Sequence, residues 1–91
     1  IVCRYGGEEF VIIMPGAGLD AAQRRGDHLR RCVSALDVEA NVPAPIRLTV
    51  SLGLACYPQH GDNAEHLLHS ADMALYEAKQ GGRNRLTIAS P

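Results

Sequence analysis

The run Arg4-Tyr5-Gly6-Gly7-Glu8-Glu9-Phe10, continued by Val11-Ile12-Ile13-Met14 and halted at Pro15-Gly16, constrains this chain more than any other stretch. Two adjacent glycines between apolar runs make a two-residue hairpin turn, because such turns need positive φ, which glycine reaches at little cost. The chain is expected to fold back there. Neighbouring side chains of a strand point to opposite faces, so Glu8 and Glu9 cannot both be surface decoration. One of them should look into the fold or a cleft. Carboxylates are hard oxygen ligands that Mg²⁺ accepts from a protein alongside phosphates, and glycines let a ligand come close to backbone amides. The residues read as a metal-phosphate lip. The alternative is a purely structural turn, since Gly-Gly turns and Glu-Glu pairs are each common.

Ninety-one residues, 46% of them hydrophobic and 21% charged, suit one small domain with a modest core. A net charge of -1 offers no broad surface for nucleic acid or membrane. No apolar run reaches the roughly 20 residues of a membrane span, and no basic stretch precedes an apolar one at the start. The segment is expected in the cytoplasm, alone or as the cytoplasmic portion of something larger. Cys3, Cys32 and Cys56 are widely spaced among apolar neighbours, which favours buried reduced thiols over disulfides or a metal site. Ile1-Val2-Cys3 reads as the middle of a strand without a polar lead-in, so the chain is expected to be a piece of a longer one that begins mid-domain.

Beyond the hairpin, Asp20 and Gln23 have the spacing of an N-cap and its capping-box partner. Ala22, Gly26, Leu29, Val33 and Leu36 then recur at helical spacing, predicting an amphipathic helix over about residues 20 to 36. Arg24, Arg25, Arg30 and Arg31 flank that stripe as a solvated face, with an anion grip as the sharper alternative. Gly26 costs the helix up to about 1 kcal/mol relative to alanine unless something packs very close to it. Pro43 and Pro45 mark a loop. From Ile46 to Cys56 apolar residues alternate with small or polar ones, predicting a strand whose second face has room for a ligand or a closely packed helix.

Asp62 or Asn63 caps a second predicted helix, which Gly81-Gly82 ends, with a core stripe of Ala64, Leu67 or Leu68, Ala71, Leu75 and Ala78. Asp72, Tyr76 and Lys79 share a neighbouring stripe, where Asp72 is read as a partner of Lys79 or of backbone amides. Arg83 follows the glycine stop, before a short final strand around residues 85 to 89. Lys79 and Arg83 fit two plain readings, a favourable charge at a helix C-terminus and solubility. The sharper reading makes them the cationic half of a phosphate site whose metal-binding half is Glu8 and Glu9. His66 and His69, with His60 nearby, lack a fixed third ligand and read as surface histidines rather than a zinc face. Met14 and Met73 read as core fillers.

Gly6-Gly7-Glu8-Glu9-Phe10, Thr49-Val50-Ser51-Leu52-Gly53 and the segment from Ala71-Asp72-Met73-Ala74-Leu75-Tyr76 to Gly81-Gly82-Arg83-Asn84 occur in one order. Together they resemble the GGDEF family of diguanylate cyclases in its GGEEF spelling, over nearly the whole chain. The resemblance implies an α/β (α+β) palm-like fold similar to nucleotidyl cyclases, a ferredoxin-like antiparallel sheet with helices. It also implies condensation of two GTP to cyclic di-GMP in a homodimer that uses Mg²⁺ or Mn²⁺. Carried over by position, Gly6 and Gly7 pass close to the nucleotide, Glu8 binds the metal, and Glu9 is a metal ligand or the proton acceptor at the attacking hydroxyl. Lys79 and Arg83 hold the terminal phosphates. Phosphoryl transfer is mostly positioning and charge neutralisation, which such groups supply.

The departures also carry expectations. Residues 1–91 resemble only the C-terminal portion of a GGDEF domain. The family's amino-terminal half, with a further metal-binding Asp and the residues that read guanine, is not in this sequence. The inhibitory RxxD motif would fall just upstream of Ile1, and His28 stands where the family often has a second inhibitory arginine. A strand of the absent half lies, in palm folds, between the hairpin and the strand at 46–56. Without it two strand edges and an apolar face stay open, so the chain alone is expected to be inactive and to form an intertwined dimer or a rearranged sheet. An upstream sensory or regulatory domain is expected in the parent protein. A non-catalytic GGDEF module that binds GTP or mediates dimerisation is the alternative function, and an unrelated ferredoxin-like interaction domain is a third.

Overall fold

A computed structural model describes residues 2–6, 9–36 and 48–90. The element order is β1 (Val2–Gly6), β2 (Glu9–Ile12), α1 (Leu19–Ser34), β3 (Leu52–Leu54), α2 (Ala64–Gln80) and β4 (Leu86–Ile88). Strands β1 and β2 form the expected antiparallel hairpin, with Val2 opposite Ile12 and Arg4 opposite Phe10. A bulge between Arg4 and Gly6 shifts the register so that Gly6 pairs with Glu9. Gly6 is therefore a strand residue rather than the first residue of a turn. Gly7 and Glu8, half of that expected lip, lie outside the described residues.

Both predicted helices form, with different starts. Gly18 rather than Asp20 occupies the N-cap of α1 and gives no side-chain cap; Asp20 sits in the first turn, where its charge meets the positive end of the helix. The capping box with Gln23 is not made. In α2 the choice between Asp62 and Asn63 resolves to Asn63, whose side chain accepts the His66 N–H at 2.9 Å. The C-terminus of α2 closes as the glycines suggest. The Gly82 and Arg83 N–H groups donate back to the Lys79 and Ala78 carbonyls at 3.4 and 3.0 Å, a Schellman closure with Gly82 at φ 117°.

Among the described residues of the 46–56 alternation, regular pairing is confined to Leu52–Leu54, which runs parallel to β4 in register Leu52 with Leu86 and Leu54 with Ile88. Residues 37–47 lie outside the described residues. Of the two uses foreseen for the small face of this strand, a packed helix is the one realised. A Cβ on Gly53 would overlap the Ala71 carbonyl and the Leu75 N–H of α2, and would stand 2.9 Å from Leu75 Cα. Gly26 likewise answers to close packing, since a Cβ there would lie 2.6 Å from Leu86 Cδ1. The fold is thus mixed α/β, an antiparallel hairpin and a parallel pair, with α1 and α2 packed on the parallel pair.

Among the described residues the buried apolar ones are all small: Ala22, Ala74, Ala78 and Ala89. Ala74 replaces Ala64 in the expected stripe, because Ala64 is exposed in the first turn of α2 while Ala74 is buried. Met73 is exposed instead of filling the core, and Cys32 is exposed on α1 instead of buried, its Sγ 3.5 Å from His28 Nε2. Beyond β3, the turn is clasped by His60, 8% exposed, whose Nδ1 accepts the Cys56 N–H at 2.8 Å. Ser70 Oγ donates to the His60 carbonyl at 2.6 Å, which ties the turn to α2. His66 pairs with Asp62 at 2.9 Å, and among the described residues no group of three or more His, Cys, Asp or Glu could hold a metal.

The hairpin strands make no close backbone contact with the helices or with β3 and β4. Between them opens a cleft of about 600 Å³ whose walls include Phe10, Ile12, Met14, Leu52, Leu54 and Leu75. Phe10 is 65% exposed and Ile12 43%. The chain exposes 6784 Å² at 9.8 kDa, where a compact monomer of that mass exposes roughly 5,200 Å².

Candidate nucleotide site

The lining of the cleft includes the polar residues Glu9, Ser51 and Asp72. Glu9, the first residue of β2, opens the strand facing Gly6, and its carboxylate is neither buried nor free in solvent, at 39% side-chain exposure. Lys79, in the last turn of α2, brings Nζ to 3.6 Å from Glu9 Oε1. Seventy positions separate the two residues, and among the described residues this is the ion pair that links the hairpin to the rest of the fold. The partner of Lys79 is therefore Glu9 and not Asp72. Asp72 is exposed two turns back along α2 and lines the cleft with Glu9 and Ser51. Tyr76, on the same stripe, is 60% exposed.

Arg83 follows the Schellman closure with its backbone in the left-handed region at φ 62°, and Asn84 follows at φ 46°. Arg83 is exposed, and its guanidinium meets no partner among the described residues. Lys79 lies in the last turn of α2 and Arg83 three positions past its end, at the terminus where the carbonyl ends of the helix favour cations. Of the six residues expected to form the site, Glu9 and Lys79 meet directly, Gly6 is paired with Glu9, and Arg83 lies four positions past Lys79. Gly7 and Glu8 are outside the described residues.

Such an arrangement can bind a polyanion with a divalent cation. The Glu9 carboxylate in the cleft wall offers hard oxygens, the Lys79 ammonium 3.6 Å away can neutralise phosphate, and Arg83 supplies a second cation four positions further along the chain. Mg²⁺ is commonly held by one or two protein carboxylates with water and phosphate oxygens completing its shell, so a single lip carboxylate fits it when a nucleotide brings the phosphates.

Three residues of this neighbourhood escaped the sequence reading. Arg30, which the sequence places on a solvated face, is only 21% exposed; it is held by Asp27 at 2.9 Å and donates from Nη1 to Asn84 Oδ1 at 3.1 Å. Asn84 N–H donates to Ser51 Oγ at 3.2 Å. The signal available was the arginine's i, i+3 spacing from Asp27, which shows a pair but not its distant partner.

A family model described as diguanylate cyclase, GGDEF domain, matches residues 1–85. The response regulator PleD of Caulobacter vibrioides is 42% identical over 83 residues, which are 90% of this chain and 18% of PleD. Diguanylate cyclase A of Treponema denticola is 35% identical over 86 residues, 94% of this chain and 23% of that protein. The chain thus spans about a fifth of the length of these relatives. Among solved structures, the GGDEF domain of DgcB from Caulobacter crescentus in complex with c-di-GMP superposes with a TM-score of 0.84 at 34% identity, covering 96% of this chain and 52% of that one. The GGDEF domain of PA1120 (YfiN or TpbB) from Pseudomonas aeruginosa gives a TM-score of 0.86 at 34% identity, over 100% of this chain and 56% of that one.

Proposed function

The chain belongs to the GGDEF family, and from that premise we propose that it is the C-terminal portion of a diguanylate cyclase domain, which condenses two GTP into cyclic di-GMP. The observation that carries the reading is the approach of Lys79 Nζ to Glu9 Oε1 at 3.6 Å, which joins a metal-binding type of group to a phosphate-binding one across the fold. Glu9, with Glu8, would hold Mg²⁺ or Mn²⁺; Lys79 and Arg83 would hold the terminal phosphates; Gly6 and Gly7 would pass beside the nucleotide. The metal, when bound, neutralises phosphate charge and lowers the barrier to attack. Two domains face each other as a homodimer, and each 3′-hydroxyl attacks the partner nucleotide's α-phosphorus. Its proton leaves to a base, with Glu9 as the candidate, and pyrophosphate departs.

The domain acts in the cytoplasm, under an upstream sensory or regulatory domain. No helix among the described residues is long and apolar enough to cross a membrane. The 91-residue chain alone is inactive, because the guanine-reading residues and a further metal ligand belong to the upstream half.

The experiment is turnover of GTP with Mg²⁺ by the domain extended upstream by about 80–90 residues, an ordinary domain size. Glu8→Gln and Glu9→Gln are assayed beside it. Cyclic di-GMP from the unmodified domain and none from either variant is the expected result. GTP binding without product would replace the cyclase by a regulatory GTP-binding module, and no binding would leave only the fold.

A further inference from the structure

We propose that Arg30 and Asn84 are positioning residues that hold Arg83 in its phosphate-binding place; the inference rests on the reading of Arg83 as a phosphate ligand. Arg83 and Asn84 lie in consecutive left-handed conformations at φ 62° and 46°. Asparagine tolerates that region, but an arginine there is disfavoured and persists only where its surroundings over-determine it. Three elements do so. From α2, the Ala78 carbonyl accepts the Arg83 N–H at 3.0 Å. From the residue preceding β3, Ser51 Oγ accepts the Asn84 N–H at 3.2 Å. From α1, Arg30 Nη1 donates to Asn84 Oδ1 at 3.1 Å and reaches its carbonyl at 3.5 Å.

Arg30 can serve as a fixed post because it is fixed itself. Asp27 Oδ1 accepts from Nε at 2.9 Å and stands 2.9 Å from Nη2 as an ion pair, and the side chain is 21% exposed. A simple loop between α2 and β4 would be satisfied by glycine at these positions. An arginine held in a disfavoured conformation, with its own guanidinium unengaged among the described residues, makes sense if the direction of that side chain matters. Arg30, a half-buried charge 54 positions from Asn84 in sequence, is the part of the hold that no helix-closure motif supplies.

The test uses the longest natural protein that carries these residues and titrates 3′-deoxy-GTP with Mg²⁺. That nucleotide lacks the attacking hydroxyl and so reports binding without turnover. Arg30→Met and Asn84→Gly are each expected to weaken its binding by roughly three- to tenfold, the effect of loosening a charged hydrogen-bonding group rather than deleting it. Arg83→Met should weaken it at least as much, and adding Arg30→Met to Arg83→Met should change nothing further. If Arg30→Met and Asn84→Gly lower only the melting temperature while Arg83→Met weakens binding, Arg30 is a structural tether and the inference fails. If Arg30→Met weakens binding further on the Arg83→Met background, Arg30 meets the nucleotide itself and the positioning role is overturned. A silent Arg83→Met would overturn the phosphate-ligand reading beneath both. Should Arg30→Met melt too low to assay, Asn84→Gly, which removes the acceptor and relaxes the backbone, carries the same decision.

Discussion

Replacing Gly53 by alanine should be far more damaging than replacing Gly26, although both glycines sit under a neighbouring element. The added Cβ at Gly53 would overlap the Ala71 carbonyl and the Leu75 N–H, which are backbone atoms of a helix that cannot turn aside without shifting as a whole. Overpacking of that kind costs about 1–3 kcal/mol and sometimes more. With no flexible side chain to absorb the overlap, the upper end, about 3 kcal/mol, is expected. A chain of this length has a stability of order 5–14 kcal/mol, so the loss is a large share. At Gly26 the added Cβ meets Leu86 Cδ1 at 2.6 Å, the tip of a side chain that can rotate at a cost of about 0.5–1.5 kcal/mol. Alanine also returns up to about 1 kcal/mol of helix propensity to α1. The net change at Gly26 should stay within about 1 kcal/mol. Thermal melting and urea unfolding of the two variants beside the parent chain measure the contrast, with a loss of more than about 12 °C expected for Gly53→Ala at 4–8 °C per kcal/mol. Equal melting temperatures for the two variants would refute the claim that α2 rests directly on the backbone of β3.

Asn63→Ala removes the side-chain cap of α2 and should cost about 0.5–2 kcal/mol in urea unfolding, with Asn63→Asp restoring most of it. His60→Ala leaves the Cys56 N–H without its acceptor inside the clasp and should destabilise by about 1–3 kcal/mol, read in the same assay. Lys79→Met should change stability by less than about 1 kcal/mol, since both partners of its ion pair are partly exposed, while lowering the GTP affinity of the upstream-extended domain by tenfold or more on the order of a lost charged hydrogen bond. Gel filtration of the 91-residue chain should show a dimer or larger species, because Phe10 and Ile12 border an open apolar cleft. A monodisperse monomer with a single two-state melt would count against that.

The hairpin and both helices were legible in the sequence because their signals are local. Glycine pairs, a cap residue and apolar spacing each act within one or two turns of chain, and Asn63, Gly81 and the 9–12 run behave accordingly. Helix α1 starts ahead of Asp20 because Gly18 supplies the extended N-cap backbone, which a side-chain capping pattern does not reveal. The alternation of residues 46–56 shows which side chains could share a face, but pairing needs a partner, and β4 offers only three residues to β3. Exposure of Cys32 and Met73 was not legible, because an apolar residue type does not say whether a neighbouring element arrives to cover it. At the site, the approach of Lys79 to Glu9 was legible only through the family resemblance, since their separation in sequence carries no geometric signal. The hold of Arg30 on Asn84 was invisible for the same reason, and without a motif to reveal it.

The seating of α2 on Gly53 has a consequence for how this segment tolerates insertions and deletions. The helix is registered on the strand at Ala71 and Leu75, and Lys79 is one turn further along. One residue added or removed between Leu75 and Lys79 would swing the lysine by roughly 100° around the helix axis, away from Glu9, while leaving the seat untouched. Side chains along this stretch can therefore vary more freely than its length. Natural variants of the domain should show substitutions at exposed positions such as Tyr76 and Glu77 but a constant count of residues from the strand glycine's contact to the lysine, and a library of single-residue insertions scored for nucleotide binding would show binding lost throughout the stretch from Ala71 to Lys79.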